Sequence, residues 1–96
     1  MQLDWTDPAQ ADLDRIETHI EGDNGSLVAV DVVLNVLDIA EMLSDHPYAG
    51  RKGRVKDTRE HAIDGLPFII VYRPIESINT LQILRVLHDA QQWPAV

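Results

Sequence analysis

The fold is decided by the run Phe68-Ile69-Ile70-Val71-Tyr72-Arg73, which is rich in aromatic and β-branched residues and does not alternate between apolar and polar. This composition is typical of a strand with both faces covered, so we predict that it lies inside a sheet. A Gly65-Leu66-Pro67 turn precedes the run, and a polar turn over residues 74–77 follows it. Such short connections predict an antiparallel meander, with neighbouring strands at about 57–63 and 78–87.

The first half of the chain predicts a short strand and two helices. Residues 2–5 alternate like a half-buried strand, and Asp7-Pro8 is typical of a helix start. The acidic residues of this first helix, Asp12 among them, are expected on its solvent side, and the turn signal at 22–25 ends it. A second helix over about 26–44 has so few polar residues that we expect it to be buried on most sides.

The element order β-α-α-β-β-β predicts an α+β fold, with an antiparallel sheet packed against an N-terminal helical hairpin. A chain of 96 residues fits one hydrophobic core, so we expect residues 1–96 to form a single domain. No apolar run approaches the roughly 20 residues that span a bilayer. The first residues lack the pattern of a secretory signal and the chain has no cysteine, so we expect a cytoplasmic protein without membrane contact.

Charge is distributed unevenly along the chain. Eight basic and sixteen acidic residues give a net charge of −8, which argues against a general nucleic-acid binder. Residues 1–50 hold eleven acidic residues and one basic residue, whereas residues 51–96 hold seven basic and five acidic ones. Five bases stand against Asp57 alone within residues 51–59, which we expect to be a loop as far as Lys56. This loop fits a polyanion, an acidic or amphipathic partner segment, or ordinary solvated charge.

Arg85 interrupts the apolar run over residues 83–87. Strand parity places it on the face of Ile83 and Leu87, opposite His88, unless the strand ends or bulges in between. A guanidinium at this position needs a partner. Either the face is open to solvent and a binding partner, or Arg85 is buried against a carboxylate such as Glu60.

The histidines do not form a recognisable metal motif, so the sequence predicts no metal site and no cofactor. His88 ends a strand, where it serves either as an acid or base near neutral pH or as a plain hydrogen-bonding group. The chain also lacks a glycine-rich phosphate loop and a nucleophile elbow. Trp93 is expected to pack the tail onto the domain.

Several segments, taken in their order and spacing, form a specific pattern across nearly the whole chain. They are Trp5-Thr6 leading into Ala9 and Leu13, then Pro47 to Gly50, Gly53-Arg54-Val55, Thr58-Arg59-Glu60, Ile70-Val71-Tyr72-Arg73, Ile83-Leu84-Arg85-Val86-Leu87-His88 and Gln92-Trp93-Pro94. This pattern resembles the RelE/ParE superfamily, the toxins of bacterial type II toxin–antitoxin modules, which include many plasmid stabilisation proteins. The fold that the resemblance implies is the β-α-α-β-β-β order already predicted.

The resemblance implies one of two targets. RelE-like members are ribosome-dependent messenger-RNA endonucleases, whereas ParE-like members inhibit DNA gyrase and are not known as nucleases. The RelE type carries a basic run after the last strand, where this chain has residues 88–92, His-Asp-Ala-Gln-Gln; Leu66-Pro67 stands where nucleases often have arginine. Missing cations weaken the stabilisation of a transferring phosphate, and the acidic first half would be repelled by ribosomal phosphates. The resemblance therefore favours a ParE-like binding protein over an enzyme.

The resemblance also implies a cognate antitoxin that lays an extended or helical segment along the helical hairpin and sheet edge, giving a hetero-oligomer. DNA gyrase is the expected target. The alternatives are the ribosome and its messenger RNA, with Arg59, Arg85 and His88 as catalytic groups, or an inactive homologue that only binds. The residues expected to bind the target or the antitoxin are Lys52, Arg54, Lys56, Arg59, Glu60, Arg85, His88 and Trp93.

Overall fold

The computed structural model describes residues 1–94, which form two helices and a five-stranded sheet. In chain order the elements are β1 (Gln2–Trp5), α1 (Asp7–Asn24), α2 (Ser26–Asp45), β2 (Arg51–Lys52), β3 (Arg59–Ala62), β4 (Phe68–Ile75) and β5 (Thr80–His88). The sheet order is β1-β5-β4-β3-β2, in which β1 runs parallel to β5 and all other neighbours are antiparallel. The predicted α+β fold, a helical hairpin with a sheet, is confirmed, but the sheet is mixed rather than antiparallel throughout, because β1 runs parallel to β5.

The central position of β4 is confirmed, since every residue from Phe68 to Tyr72 is buried. The strand continues to Ile75, and a 3₁₀ turn at Glu76–Ile78 takes the place of the predicted turn at 74–77. The prediction that the whole basic segment is a loop was wrong. Two of its residues form β2, which pairs with β3 through Arg51↔Glu60 and Lys52↔Arg59, because main-chain pairing needs no apolar side chain at an exposed sheet edge.

Thr6, rather than Asp7, caps α1. Its hydroxyl oxygen accepts the Ala9 N–H at 3.2 Å, and the hydroxyl also lies 3.0 Å from the carbonyl oxygens of Ile83 and Leu84. One side chain therefore begins the helix and attaches it to β5. This attachment lies just past the point where β1 ends, since Trp5 is the last residue of β1 and pairs with Ile83.

The helices cover one face of the sheet. Their buried residues pack with Ile70, Tyr72, Leu81, Ile83 and Val86 in one cluster. The opposite face also holds buried apolar residues outside that cluster, which are Ile69, Val71 and Leu87. Neither helix within residues 1–94 is long and apolar enough to cross a membrane.

A β-bulge in β5 changes which residues share a face. The pairing passes from Tyr72↔Ile83 to Val71↔Arg85, which leaves Leu84 without a partner on β4. Ile83 and Val86 consequently both join the helix-side cluster, although three positions separate them. The prediction that Arg85 shares a face with Ile83 was wrong, because the extra residue reverses the alternation.

α2 is less buried than its composition predicts. Leu27, Val30, Leu34 and Leu37 are all exposed, with Leu27 at 83% and Leu34 at 51%. They recur at spacings of three and four and so lie along one side of the helix. The prediction of burial on most sides was wrong, because the sheet and α1 cover only the opposite side, where Val32, Val36, Ala40 and Leu43 lie.

Candidate functional site

Asp12 of α1 is the centre of one buried ion pair, with only 5% of the residue exposed. Its carboxylate accepts hydrogen bonds from Arg85 Nε at 2.6 Å and Arg85 Nη2 at 2.9 Å, from the Val86 N–H at 3.0 Å, and from Arg15 at 3.1 Å. The hydrogen bonds to Asp12 raise the pKa of Arg85 above its ordinary value. Since β1 has ended before this point, Asp12 satisfies an edge N–H of β5 that a neighbouring strand would otherwise satisfy.

Both predictions about this pair need correction. Asp12 does not face solvent, and the carboxylate that binds Arg85 is Asp12 rather than Glu60. The sequence does contain a pattern that indicates the burial of Asp12. Asp12 lies three residues after Ala9 and four before Ile16, which places it on the apolar side of α1.

Glu60 of β3 is the second buried carboxylate, at 2% exposure. It accepts hydrogen bonds from the Arg54 N–H at 2.9 Å, Arg54 Nη2 at 3.0 Å and Arg51 Nη2 at 3.2 Å. Burial by itself would raise the pKa of Glu60, but the hydrogen bonds from Arg54 and Arg51 bring it below the ordinary value. Glu60 thereby holds the start of the loop over residues 53–58 against the sheet.

A cleft with a volume of about 780 Å³ opens between that loop and the connection from β4 to β5. Its cations are Lys52, Lys56, Arg59 and Arg73. Tyr48, Val55, Pro74 and Ile75 supply aromatic and apolar walls, and Asp57 and Glu76 are the acidic residues. We call this feature the basic cleft.

Arg59 is held in the basic cleft by the backbone and by an aromatic ring. Its Nη1 donates to the Gly50 carbonyl oxygen at 2.7 Å, and its guanidinium carbon lies 4.9 Å from the centre of the Tyr48 ring. The Tyr48 hydroxyl donates to Glu76, and this hydrogen bond raises the pKa of Tyr48 above its ordinary value. The cleft therefore has one arginine with a fixed position, beside two lysines on its rim.

The segment that carries Tyr48 and Gly50 is attached to the core by Tyr72. The Tyr72 hydroxyl donates to the Pro47 carbonyl at 2.8 Å and accepts the Gly50 N–H at 2.9 Å. A Cβ at Gly50 would lie 2.7 Å from that hydroxyl oxygen and 2.9 Å from the Glu60 carbonyl oxygen, so only glycine fits. Burial raises the pKa of Tyr72 above its ordinary value.

A different set of predicted residues lies near the end of β5. The Arg85 guanidinium carbon is 5.8 Å from the centre of the half-buried Trp93 ring, which supports the prediction that Trp93 packs the tail. His88 contacts Phe68 edge to face at 5.9 Å, and its Nδ1 accepts the Ala90 N–H at 3.1 Å. A smaller cavity of about 300 Å³ separates His88 from α1.

Comparison with known proteins gives the family. A sequence profile described as "ParE toxin of type II toxin-antitoxin system, parDE" matches residues 3–93. The chain belongs to the ParE toxin family.

Two relatives agree with this assignment. A curated protein of Sinorhizobium fredii named "Putative toxin Y4kP" is 38% identical over 95 residues, which cover 99% of this chain and 95% of that protein. A solved structure titled "Chromosomal ParDE TA system from P. aeruginosa" is 30% identical and superimposes with a TM-score of 0.82, covering 92% of this chain and 95% of that one. The predicted superfamily and its ParE branch are confirmed.

The structure divides the predicted site residues of this ParE-family toxin into three places. Lys52, Lys56 and Arg59 line the basic cleft. Arg54 and Glu60 bind each other. The third group, Arg85, His88 and Trp93, lies near the end of β5.

Arg59 and Arg85 do not converge. Arg59 of β3 is bound to the Gly50 carbonyl oxygen, whereas Arg85 of β5 is bound to Asp12 of α1, and β4 lies between these two strands. Among residues 1–94, no group of three potential metal-ligating side chains is close enough to hold a metal ion.

The predicted site residues left out several residues of the basic cleft in this ParE-family toxin, among them Tyr48, Arg73 and Glu76. Arg73 had a usable signal, because it is the first exposed residue after the buried run of β4. The sequence has no comparable signal for Tyr48 and Glu76, because they are 28 positions apart and only the folded sheet brings them together.

Proposed function

We propose that this ParE-family toxin stops growth by binding and inhibiting DNA gyrase in the cytoplasm, and that a cognate antitoxin neutralises it. Such a pair would stabilise the plasmid or chromosomal region that encodes it. Membership of the ParE family supports the proposal, and so does a surface suited to protein binding on α2.

That surface carries the proposal and consists of Leu27, Val30, Leu34 and Leu37, which we call the α2 stripe. A contiguous exposed apolar surface of this kind marks a protein interface. An acidic residue lies four positions after each of three members of the stripe; these residues are Asp31, Asp38 and Glu41. The α2 stripe therefore has a negatively charged border. An antitoxin segment with apolar side chains flanked by lysine or arginine would fit both features.

The basic cleft is the observation that favours the alternative of a messenger-RNA endonuclease. The arrangement of the expected catalytic groups weighs against it. Arg85 of β5 is held by Asp12 of α1, whereas Arg59 of β3 is held in the basic cleft, two strands away. Stabilising a transferring phosphate needs cations that converge on it, so gyrase inhibition remains the leading proposal.

The proposal is tested by expressing the toxin alone and together with the protein encoded by any short open reading frame found beside its gene. We expect growth arrest by the toxin alone, rescue by the neighbouring protein, and loss of supercoiling by purified gyrase when toxin is added. Messenger RNA cleaved at the ribosomal A site, with supercoiling intact, would overturn the proposal in favour of the nuclease. Unaffected growth and no response in either assay would identify an inactive homologue.

The antitoxin surface is tested with Leu34→Glu, which places a charge in the α2 stripe. Leu34 is exposed, so we expect the variant to fold, inhibit growth and lose rescue by the antitoxin. Thr18→Glu adds the same charge at an exposed position of α1 and should leave rescue unchanged. Unchanged co-purification of Leu34→Glu with the antitoxin would show that the antitoxin binds elsewhere.

A further inference from the structure

The eight cationic side chains of the protein fall into two equal sets. Four bind buried carboxylates: Arg15 and Arg85 contact Asp12, and Arg51 and Arg54 contact Glu60. Within residues 1–94, the other four form no ion pair with a carboxylate, and all of them line the basic cleft; these are Lys52, Lys56, Arg59 and Arg73. Within residues 1–94, the lysines and arginines that bind no carboxylate therefore all lie around the basic cleft, although the protein has a net charge of −8.

The remaining lining of the basic cleft indicates what kind of anion fits. Val55, Pro74 and Ile75 are partly buried and offer apolar contacts between the cations. Asp57 and Glu76 give the cleft two acidic groups, which disfavour a bare polyphosphate. A short protein segment with carboxylate and apolar side chains matches this mixture of contacts.

The charge of the rest of the molecule points the same way. Duplex DNA carries about one negative charge per 1.7 Å of its axis. A strand laid through the cleft would bring many phosphates near a first half that holds eleven acidic residues and one basic residue. A peptide segment with two or three carboxylates avoids most of this repulsion.

We propose that the basic cleft binds an acidic, apolar-containing segment of the toxin's target protein, with Lys52, Lys56, Arg59 and Arg73 pairing its carboxylates. The inference rests on the proposed function in placing this segment on the target. The antitoxin is assigned to a different surface, because the α2 stripe has an acidic border and calls for basic flanking residues. The two surfaces have opposite charge requirements and therefore suit two different partners.

The test compares two double variants that have the same net charge. Lys52→Gln with Lys56→Gln removes two charges from the basic cleft. Gln2→Glu with Ser26→Glu adds two negative charges at exposed positions outside it. Binding is measured by fluorescence anisotropy at low salt with two probes of equal charge, a labelled peptide of alternating glutamate and leucine and a labelled single-stranded oligonucleotide.

We expect the wild-type toxin to bind the peptide more tightly than the oligonucleotide, and the lysine variant to bind the peptide about tenfold more weakly or worse. The control variant should stay within about twofold to threefold of the wild type. Tighter binding of the oligonucleotide would assign the cleft to nucleic acid. No peptide binding, or equal weakening in both variants, would also overturn the proposal.

A second measurement separates this inference from the proposed function. The lysine variant should lose inhibition of gyrase supercoiling while still co-purifying with the antitoxin. If it inhibits gyrase as well as the wild type does, the cleft is not the target site, although the proposed function stands. If the wild type does not inhibit gyrase, the proposed function fails, and the peptide experiment still decides what the cleft binds. Loss of antitoxin binding with retained toxicity would assign the cleft to the antitoxin and overturn the inference.

Discussion

The two buried carboxylates and the basic cleft use the same kinds of side chain in opposite ways. At Asp12 and Glu60, arginines bind a carboxylate that is almost fully buried, at 5% and 2% exposure. Around the basic cleft, lysines and arginines of the same strands and loops have no carboxylate partner within residues 1–94. The difference shows that pairing, rather than the local density of charge, decides whether a cation stabilises the fold or remains available to a partner.

The segment over residues 51–59 illustrates this most clearly. Its five bases appear as a single cluster in the sequence. In the structure Arg51 and Arg54 bind Glu60, whereas Lys52, Lys56 and Arg59 line the basic cleft. Residues 51–59 thus contribute both to the stability of the loop over residues 53–58 and to the positive charge of the basic cleft.

The largest loss of stability is expected from Asp12→Ala. The substitution leaves the partly buried Arg85 guanidinium unpaired and removes the acceptor of the Val86 N–H, which together should cost about 3–5 kcal/mol. The free energy of unfolding is measured by urea denaturation at pH 7, followed by circular dichroism. Asp14→Ala removes an exposed carboxylate of the same helix and should change it by less than about 0.5 kcal/mol.

If Asp12→Ala does not fold, the same comparison is made from the other partner. Arg85→Met keeps most of the side-chain volume and removes the charge, and Asp12 retains its bonds to Arg15 and Val86. It should therefore destabilise less than Asp12→Ala. A wild-type free energy of unfolding in both variants would show that the pair does not stabilise the fold.

A smaller and pH-dependent loss is expected from Glu60→Gln. It should cost about 1–3 kcal/mol at pH 7, since Arg51 and Arg54 are partly exposed and water replaces some of the lost contacts. The pKa of Glu60 is lower in the folded state than its ordinary value of 4.5, so its contribution is present above that pH and is lost as the pH falls further.

The measurement for Glu60→Gln is the difference in free energy of unfolding between wild type and variant across the acid range. This difference isolates Glu60 from the other carboxylates that titrate there. We expect it to stay constant from pH 7 down to the ordinary pKa of 4.5 and to shrink as the pH falls below that value. A difference that stays constant with pH would mean that the charge of Glu60 contributes nothing to stability.

The smallest effect on stability is expected from the double substitution Lys52→Gln and Lys56→Gln. Neither lysine binds a carboxylate within residues 1–94, so the free energy of unfolding should stay within about 0.5 kcal/mol of the wild type. Arg54→Gln, in the same segment, should lower it measurably because Glu60 loses hydrogen bonds. Equal destabilisation by the two changes would show that cations bound to a carboxylate contribute no more to stability than cations without one.

Most of the fold could be predicted because its signals are local. The buried run of β4, the turn before it and the apolar periodicity of the helices each lie within one segment of sequence. β2 was not predicted, because a strand of two exposed residues shows no apolar periodicity. The bulge at Leu84 was not predicted either, because the register of two strands is set by the packing of the whole sheet.

The site was harder to predict because its contacts are distant in sequence. Asp12 and Arg85 are 73 positions apart, and Tyr48 and Glu76 are 28 apart. The predicted site residues were chosen by residue type and by resemblance, which identify cations but not their partners. Which of two carboxylates would bind Arg85 depended on the strand that ends at Trp5 and on the bulge, and neither has a sequence signature.

The hydrogen bonds of Tyr72 have a consequence for the kinetics of recognition. Tyr72 fixes Gly50, and Gly50 in turn fixes Arg59, which is the register partner of Tyr72 on the neighbouring strand. Arg59 therefore loses its rotamer freedom when the protein folds rather than when a partner arrives. Lys52 and Lys56 keep theirs. Removing either lysine should chiefly slow the encounter with an acidic segment, whereas releasing Arg59 through Tyr72→Phe should chiefly shorten the lifetime of the complex.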